Sequence, residues 1–481
     1  MEAAGGARPG AFAAWLEDRA GISSLARVLL FRHVPLGVGV LYTLGFAAAF
    51  VFLLQAATGI VLALYYAPTP DPAYESVAFF NDEVAFGRIV RGLHHWGSSA
   101  MVVLVGAHLV VVFALAAYKR PREVTWFLGV GLLAVTLGFA FTGYLLPWDE
   151  KAYWATSVGT NMAGTVPFAG EFILRVARGG PELGAAALTR FYGVHTLVLP
   201  AAMGILLLGH LALVIWHGVS VPPSLWNEER EASERLRETE AAQGYQRQVA
   251  RYAVFKQRGR PFWPDIVLED LVIASVVFVT LLVLTVALGA PLEGQADPTN
   301  TSYIPRPEWY FLFLFQLLRY FPGQLEWVGV VLVPLAAFLA LLLLPLLDRK
   351  PERRLNHRGV ARTVAIVLAS GIGFLTTSAF LSTPPGAVEE SGRALSAAQI
   401  IGRTHYRQYC ADCHGTGGEG TQYAPALTTT ERDANFIHNY IENPQRMSRS
   451  ALMPQFLGPL SHNEVEQVTQ YVLTFQPEVK S

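Results

Sequence analysis

The sequence predicts an all-α membrane protein in which seven transmembrane helices precede a small soluble α-helical domain. Three observations support this fold class. Of the 481 residues, 52% are hydrophobic and only 15% are charged, which is too apolar for a soluble protein of this length. Seven apolar runs are each long enough to cross a bilayer, which takes ~20 helical residues. After Leu381 the composition becomes polar and remains so.

The seven apolar runs define the predicted spans. A further run, Trp309–Leu318, is apolar but too short to cross, and we expect it to be an interfacial or re-entrant helix. In chain order the spans are Leu36–Tyr66, Ile89–Tyr118, Val124–Leu146, Arg190–Trp216, Ile266–Leu288, Trp327–Leu347 and Val360–Leu381.

Basic residues between the spans predict the orientation. Loops that stay in the cytoplasm retain Lys and Arg near the span ends. Such residues cluster between the second and third spans, as Lys119, Arg120 and Arg122, and again in the fourth-to-fifth and sixth-to-seventh loops. These loops are therefore predicted to be cytoplasmic, which places everything after Leu381 on the outer side. The net charge of the whole chain is −1, so the charge gives no reason to expect a nucleic-acid partner.

The spans and composition divide the chain into four predicted parts. Residues 1–220 hold the first four spans, and residues 221–382 hold the last three with a long outer loop. Residues 383–393, rich in Pro and Glu, form a linker. Residues 394–481 form the soluble domain.

Four histidines within apolar spans predict two metal-centred cofactors. His94 and His108 are fourteen residues apart, close to four helical turns, so both rings face the same way about 21 Å apart. The fourth span carries His195 and His210, fifteen residues apart. Ionisable groups are expensive in hydrocarbon and usually functional there. The second and fourth spans both run from the predicted outer side to the inner side, so His94 faces His195 near the outer surface and His108 faces His210 near the inner one. This outer pair and this inner pair are therefore predicted to hold two non-covalent b haems, making the first four spans a dihaem bundle.

Glycines and arginines add to this prediction. The first span has Gly45 and Gly59, and the third has Gly129 and Gly143, both pairs fourteen apart. Glycine lets a flat macrocycle approach the backbone, so these spans are predicted to press on the same haems. Arg91 and Arg122 are placed to pair with haem propionates at the two surfaces; for Arg122, a plain cytoplasmic basic residue is an equal alternative.

The soluble domain carries a covalent haem motif. Cys410-Ala411-Asp412-Cys413-His414 is typical of c-type haem attachment, with two thioethers and His414 as the fifth iron ligand. A thioredoxin-like pair or half a zinc site would need a βαβ setting or a second cysteine pair. Met453 is predicted to be the sixth ligand, with Met447 in the same loop as the competitor.

Together these motifs closely resemble cytochrome b of the bc1/b6f quinol-oxidising complexes. The resemblance rests on the four histidines, on Gly143-Tyr144-Leu145-Leu146-Pro147-Trp148 and on Pro307-Glu308-Trp309-Tyr310. The interval of fifteen residues between His195 and His210 and the number of spans resemble the b6f branch. That branch has a four-helix cytochrome b and a three-helix companion subunit, which this chain would join in one polypeptide. Residues after Ala394 resemble a class I cytochrome c.

The resemblance implies a quinol:cytochrome c oxidoreductase in a bacterial inner membrane, with the cytochrome c domain periplasmic. Glu308 would accept a proton from quinol at an outer pocket that Tyr310 and Tyr144 line. The implied partners are a Rieske iron–sulfur protein, quinol and quinone, a cytochrome c or other high-potential acceptor, and a second copy in a homodimeric complex. The alternative is a haem anchor that passes electrons between a dehydrogenase and quinone without bifurcating them.

Overall fold

A computed structural model describes most of the chain. The predicted linker, residues 383–393, lies outside the described residues, as do the first two positions of the predicted soluble domain. The described residues are 11–21, 23, 26, 30–180, 182–238, 259–298, 303, 306–321, 325–381, 396–415, 417–420, 424–428, 432–447, 453–456 and 458–476.

Within the described residues, six helices are long and apolar enough to cross a membrane, so the protein is an integral membrane protein. They correspond to the first five predicted spans and the seventh. Their bounds are Val40–Ala63, Gly87–Ala114, Glu123–Tyr144, Ala185–His217, Phe262–Leu288 and Gly359–Leu381.

The sixth predicted span, Trp327–Leu347, is divided into a shorter apolar helix over Val328–Leu342 and a turn of helix over Leu344–Leu347. Leu343 lies between them with φ −84° and ψ 1°, outside helical geometry. Pro345 explains the break, because it has no N–H for the helical ladder and its ring clashes with the carbonyl four residues earlier. The two pieces together extend about 30 Å at ~1.5 Å per residue.

Helices account for nearly all of the regular structure, and one two-residue ladder pairs β1 (His33–Val34) with β2 (Arg260–Pro261). Three of the six long apolar helices include a 3₁₀ or π segment, namely Val40–Ala63, Ala185–His217 and Phe262–Leu288. The α-helices are α1 Ala11–Ala20, α2 Leu44–Ala63, α3 Pro70–Asp82, α4 Gly87–Ala114, α5 Glu123–Tyr144, α6 Glu150–Gly164, α7 Gly170–Arg178, α8 Ala185–Gly193, α9 Leu199–His217, α10 Trp226–Glu238, α11 Val267–Leu288, α12 Leu312–Leu318, α13 Val333–Leu342, α14 Leu344–Leu347, α15 Gly359–Leu381, α16 Ala397–Tyr409, α17 Ala411–His414, α18 Ala434–Glu442, α19 Pro444–Met447 and α20 His462–Val472.

The first four spans pack as a bundle. Helix α4 packs along α2, α5 packs along α9, and α4 also contacts α5. Helix α11, from the second half of the chain, packs on both α4 and α2, where Leu281 joins Val51, Leu93 and Met101 in a buried cluster. The bundle therefore presents α4 and α9 to each other with α2 and α5 behind them.

A buried ionic cluster joins the two halves of the membrane region. Asp348 accepts hydrogen bonds from Tyr118 Oη at 2.6 Å and from Lys119 Nζ at 2.8 Å. Arg358 donates to Tyr118 Oη at 2.8 Å. Burial alone would raise the pKa of Asp348, but the hydrogen bonds from Lys119 and Tyr118 outweigh it and leave that pKa below its ordinary value. The loop after α4 is thus tied to the segment after α14.

Asp348→Asn should destabilise the protein by about 3–5 kcal/mol, because it leaves the buried Lys119 and Arg358 cations without their counter-charge. Denaturant or thermal unfolding in detergent measures the change. Arg349→Gln is the matched control, since Arg349 is the exposed neighbour and donates only to the carbonyl of Leu346. Equal stability of the two variants would contradict a role for the cluster in holding the halves together.

The described part of the C-terminal region is a small helical unit with its own core. Helix α20 packs on α16 and α18, and its Val465, Val468 and Tyr471 surround Tyr406. Capping boxes at Ser396 and Ser461 begin α16 and α20, since each serine side chain and its N3 partner satisfy backbone N–H groups that the helix leaves unpaired.

Candidate functional site

His94 and His195 face each other across the bundle. Their ring centroids are 6.5 Å apart and the rings are inclined by 69°. Two imidazoles that share one metal ion place their nitrogens ~4 Å apart, because each metal–nitrogen bond is about 2 Å. Each ring centre lies one ring radius beyond its ligating nitrogen, so the two ring centres are farther apart than the nitrogens by two ring radii. The observed separation therefore fits a single ion held between the two rings.

Two threonine hydroxyls determine which nitrogen of each imidazole carries the proton. The hydroxyl of Thr58 donates its proton to the carbonyl of Leu54 at 2.7 Å, so it accepts a hydrogen bond from His94 Nδ1, 3.0 Å away. Thr142 repeats the arrangement: its hydroxyl donates to Gly138 O and lies 3.0 Å from His195 Nδ1. With the proton on Nδ1, each Nε2 keeps a lone pair for a metal.

A π-helical segment explains why the second histidine interval is fifteen. Val194–Val198 is π-helical, and the N–H of Leu199 bonds the carbonyl of Val194, five residues back. Pro200 follows and has no N–H of its own to restore the α ladder. One π turn absorbs one extra residue. Fifteen residues with this insertion therefore give His195 and His210 the same relative direction as fourteen α-helical residues give His94 and His108.

The four predicted glycines contact the histidine rings themselves. A Cβ built on each glycine would lie 2.6–3.4 Å from the Cε1 atom of one histidine. Helix α2 backs the two histidines of α4, and α5 backs the other two. The pairs are Gly59 with His94 at 3.2 Å, Gly143 with His195 at 2.6 Å, Gly45 with His108 at 3.2 Å, and Gly129 with His210 at 3.4 Å.

The inner pair consists of His108 on α4 and His210 on α9, which contact Gly45 and Gly129 respectively. His210 Nδ1 is 3.0 Å from the carbonyl of Thr125, an acceptor that assigns the proton to Nδ1 and leaves Nε2 free to bind metal. The outer pair thus bonds threonine hydroxyls, whereas His210 bonds a main-chain carbonyl.

The predicted propionate partners are both buried and both donate to carbonyl oxygens. Arg91 donates to Ala290 O at 2.7 Å and Pro291 O at 2.6 Å, and it lines the cavity at the outer pair. Arg122 donates to Val219 O at 3.0 Å. Pairing with propionates stays a prediction for both.

One cavity of about 550 Å³ brings most of the outer residues together. Its walls include His94 and His195 with their glycines, and also all three predicted pocket residues, Glu308, Tyr310 and Tyr144. Tyr310 is buried, and the hydroxyl of Tyr144 lies 3.4 Å from Arg306 O. The predicted proton acceptor therefore shares a cavity with the predicted outer metal ligands.

Lys151, which the sequence analysis did not single out, occupies the same cavity. Its Nζ donates to Glu308 Oε1 at 2.8 Å, and it lies 5.7 Å from the ring centre of Tyr144. Asp149 also lines the cavity, but its oxygens accept from the N–H groups of Ala152 and Glu293. Burial raises the pKa of Asp149, and these hydrogen bonds oppose the rise.

The C-terminal motif has the features expected for haem attachment. Cys410 is buried at the start of α17 and Cys413 is exposed. Burial, with a smaller contribution from Cys413, raises the pKa of the Cys410 thiol to about 12, which disfavours a reactive redox thiolate. His414 Nδ1 lies 3.0 Å from Pro425 O, so its Nε2 remains for a metal.

Met453 packs against the core of this unit, whereas Met447 is 44% exposed. Met453→Leu should therefore remove the methionine–iron charge-transfer band of the oxidised c haem and lower its potential, while Met447→Leu should leave both unchanged. Optical spectra and redox titration of the two variants provide the measurement. The opposite pattern would assign the sixth ligand to Met447.

Thr58→Val should raise the potential of the outer b haem by roughly 40 mV. The loss of one ~1 kcal/mol hydrogen bond makes His94 a weaker donor to oxidised iron, and about 59 mV corresponds to ~1.4 kcal/mol for one electron. Redox titration measures the shift. Thr280→Val is the matched control, because its hydroxyl bonds only the carbonyl of Val276. Identical potentials in both variants would contradict the tautomer assignment.

Comparison with known proteins yields three matches along the chain. Residues 30–218 match the family model described as Cytochrome b/b6/petB, and residues 295–390 match Cytochrome b(C-terminal)/b6/petD. Residues 397–472 match the model described as Cytochrome C oxidase, cbb3-type, subunit III.

Individual proteins of known name also resemble parts of this chain. Cytochrome b6 from Prochlorococcus marinus is 38% identical over 208 residues, which are 43% of this chain and 95% of the relative. Cytochrome b6 from a Synechococcus species gives the same values. A solved structure described as a hyperthermophilic respiratory Complex III aligns with a TM-score of 0.64 and 25% identity, covering 77% of this chain and 91% of that one.

Proposed function

This chain belongs to the cytochrome b/b6 family, and from that premise we propose that it is the cytochrome b/c subunit of a quinol:cytochrome c oxidoreductase. It oxidises quinol at the outer face of a bacterial inner membrane. One electron from each quinol passes to a Rieske partner and then to the fused c-type domain. The other crosses the membrane to the inner face, where the electrons from two such turnovers, with two protons, reduce one quinone to quinol, which couples the reaction to proton translocation.

The observation that carries the proposal is the shared cavity. Glu308, Tyr310 and Tyr144 form walls of the same space as His94 and His195. A quinol in this cavity would lie next to both a carboxylate and the outer cofactor site. A plain haem anchor needs histidine pairs but no carboxylate-lined cavity beside them, so this arrangement favours quinol oxidation over the anchor alternative.

The histidine pairs would hold two b haems, and the C-terminal domain would hold one c haem through Cys410, Cys413, His414 and Met453. When bound, these groups accept and release single electrons. The protein's contribution is to fix the ligand rings, because the threonine and carbonyl acceptors orient Nε2 and the glycines allow close packing. Both pairs lie on the second and fourth spans, so haems held there would supply single-electron transfer between the two ends of the bundle.

Glu308 would accept the proton that leaves the quinol hydroxyl. Its carboxylate points to Lys151 in this conformation, with both side chains largely shielded from solvent. The ion pair with Lys151 therefore holds the carboxylate at the cavity wall, where it would act as a base. Tyr144 and Tyr310 supply the aromatic walls that would hold the quinol ring and exclude water.

The iron–sulfur cluster of the proposed reaction would belong to a separate protein. Cys410 and Cys413 are the only two cysteines in the sequence, and both belong to the haem c motif. An iron–sulfur cluster needs thiolate or mixed thiolate and imidazole ligands. The first electron from quinol must therefore leave through another polypeptide before it reaches the fused domain.

The test is a single turnover with the purified complex and its iron–sulfur partner. Addition of one quinol per complex is expected to reduce one b haem and one c haem in equal amounts. If both electrons appeared on b haems with none on haem c, whether or not the iron–sulfur protein was present, the chain would be a haem anchor.

A further inference from the structure

A cluster of two histidines and a glutamate lies on the C-terminal domain, outside the haem motif. His438 and Glu442 are on α18, and His462 is the first residue of α20. His438 Nε2 is 3.1 Å from Glu442 Oε1, and His462 Nδ1 contacts the same oxygen. One ligand atom from each residue lies within 4.8 Å of the other two.

The charges of this cluster suit a divalent cation. Glu466 Oε2 lies 3.3 Å from His438 Nδ1, so two carboxylates surround two imidazoles. The two carboxylates of Glu442 and Glu466 supply the negative charge that a divalent ion would neutralise. Glu442 and His438 are 17% and 24% exposed and form the buried side of the cluster. His462 is 75% exposed, so a metal ion can reach the cluster from solvent on that side.

We propose that His438, Glu442 and His462 bind a divalent transition-metal ion of the Zn²⁺ class, with Glu466 orienting His438 from behind. Two imidazoles and one carboxylate form a ligand set that Zn²⁺ accepts, with a fourth position left for water. A carboxylate behind a ligating histidine fixes the ring and raises its basicity. Soft ions would require thiolates, which the cluster lacks, and Mg²⁺ prefers oxygen ligands.

The ion would join the two ends of the segment that carries Met453. Glu442 ends α18 and His462 begins α20, and residues 443–461 run between them. A metal cross-link at the base of a loop restricts its opening. The bound ion would therefore slow the departure of Met453 from the c-type iron. This consequence rests on the proposed haem c ligation, whereas binding of the ion does not.

Zn²⁺ titration of the purified full-length protein in detergent tests the site. Loss of a ligand should weaken binding at least about tenfold, the lower limit seen when only a supporting group is lost. We expect this for Glu442→Gln and for His438→Ala. His405→Ala is the matched control, because His405 Nε2 lies 3.5 Å from Glu464 and His405 is not one of the proposed ligands.

Zinc-edge absorption spectra should show two imidazoles and one carboxylate around the ion in the wild type. Equal Zn²⁺ affinity in the wild type and in the Glu442→Gln and His438→Ala variants would overturn the site. So would failure of the wild type to bind.

Displacement of the methionine by added imidazole tests the consequence separately. Zn²⁺ should slow displacement severalfold in the wild type and have no effect in Glu442→Gln. Zn²⁺ binding without slowing would overturn the proposed effect on the loop, while the site would stand. A c haem without a methionine signature would contradict the haem ligation in the proposed function, and Zn²⁺ binding would still be measurable.

Discussion

Glu308→Gln is expected to slow quinol oxidation by about 10²–10⁴-fold, the contribution typical of a positioned general base. Glutamine keeps the size and the hydrogen-bonding oxygen of the side chain but cannot accept the quinol proton at neutral pH. The loss should appear in kcat more than in KM, because the cavity walls at Tyr144 and Tyr310 are unchanged. Steady-state reduction of cytochrome c by quinol measures it.

Glu171→Gln is the control for this experiment. Glu171 lies in a different loop, between the third and fourth spans, where it is exposed on α7 and, within the described residues, pairs with Arg175 one turn away. The quinol oxidation rate of the Glu171→Gln variant should equal that of the wild type. Both variants should retain their full haem content, which separates a chemical defect from misfolding. A wild-type rate in Glu308→Gln would remove this residue from the proton path.

Gly143→Ala is expected to remove the outer b haem. The new Cβ would lie 2.6 Å from Cε1 and 3.1 Å from Nδ1 of His195, closer than carbon atoms approach in proteins. Overpacking of this kind costs ~1–3 kcal/mol or displaces the side chain. His195 would have to turn away from His94. Haem quantitation should then show the b haem content falling by about half while haem c is retained.

Substitutions at two other glycines test whether haem loss depends on how closely the new Cβ approaches a histidine ring. Gly129→Ala would place its Cβ 3.4 Å from His210 Cε1, an ordinary close contact, so the inner haem should remain. Gly204→Ala adds a methyl group to α9 with nothing within 4 Å and should change nothing. If all three variants kept both b haems, close packing of glycine on the ligands would not be a requirement of the site.

The membrane spans and the shared face of His94 and His108 could be predicted because their signals are local. An apolar run of about twenty residues satisfies its backbone as a helix in any bilayer, and the periodicity of one α-helix aligns His94 with His108. The interval between His195 and His210 was harder to interpret. Its geometry depends on a π segment next to Pro200, a backbone detail that hydrophobic periodicity does not encode.

Contacts between distant segments could not be derived from local pattern. The equal intervals of the glycines indicated close approach, but only the packing of α2 on α4 and of α5 on α9 shows that the glycines face imidazoles. Thr58 and Thr142 each precede one of these glycines, and that repeated Thr-Gly step was a usable signal. Lys151 gave none, because its pairing with Glu308 joins residues 157 positions apart.

Haem stoichiometry in the purified chain tests the central claim most directly. In the proposed ligation, two histidine pairs and one covalent motif in a single polypeptide would hold two b haems for each c haem. Pyridine haemochrome spectra, with denatured protein used to confirm that only haem c stays attached, should give that ratio. A preparation with full haem c and activity but only one b haem per chain would contradict the account.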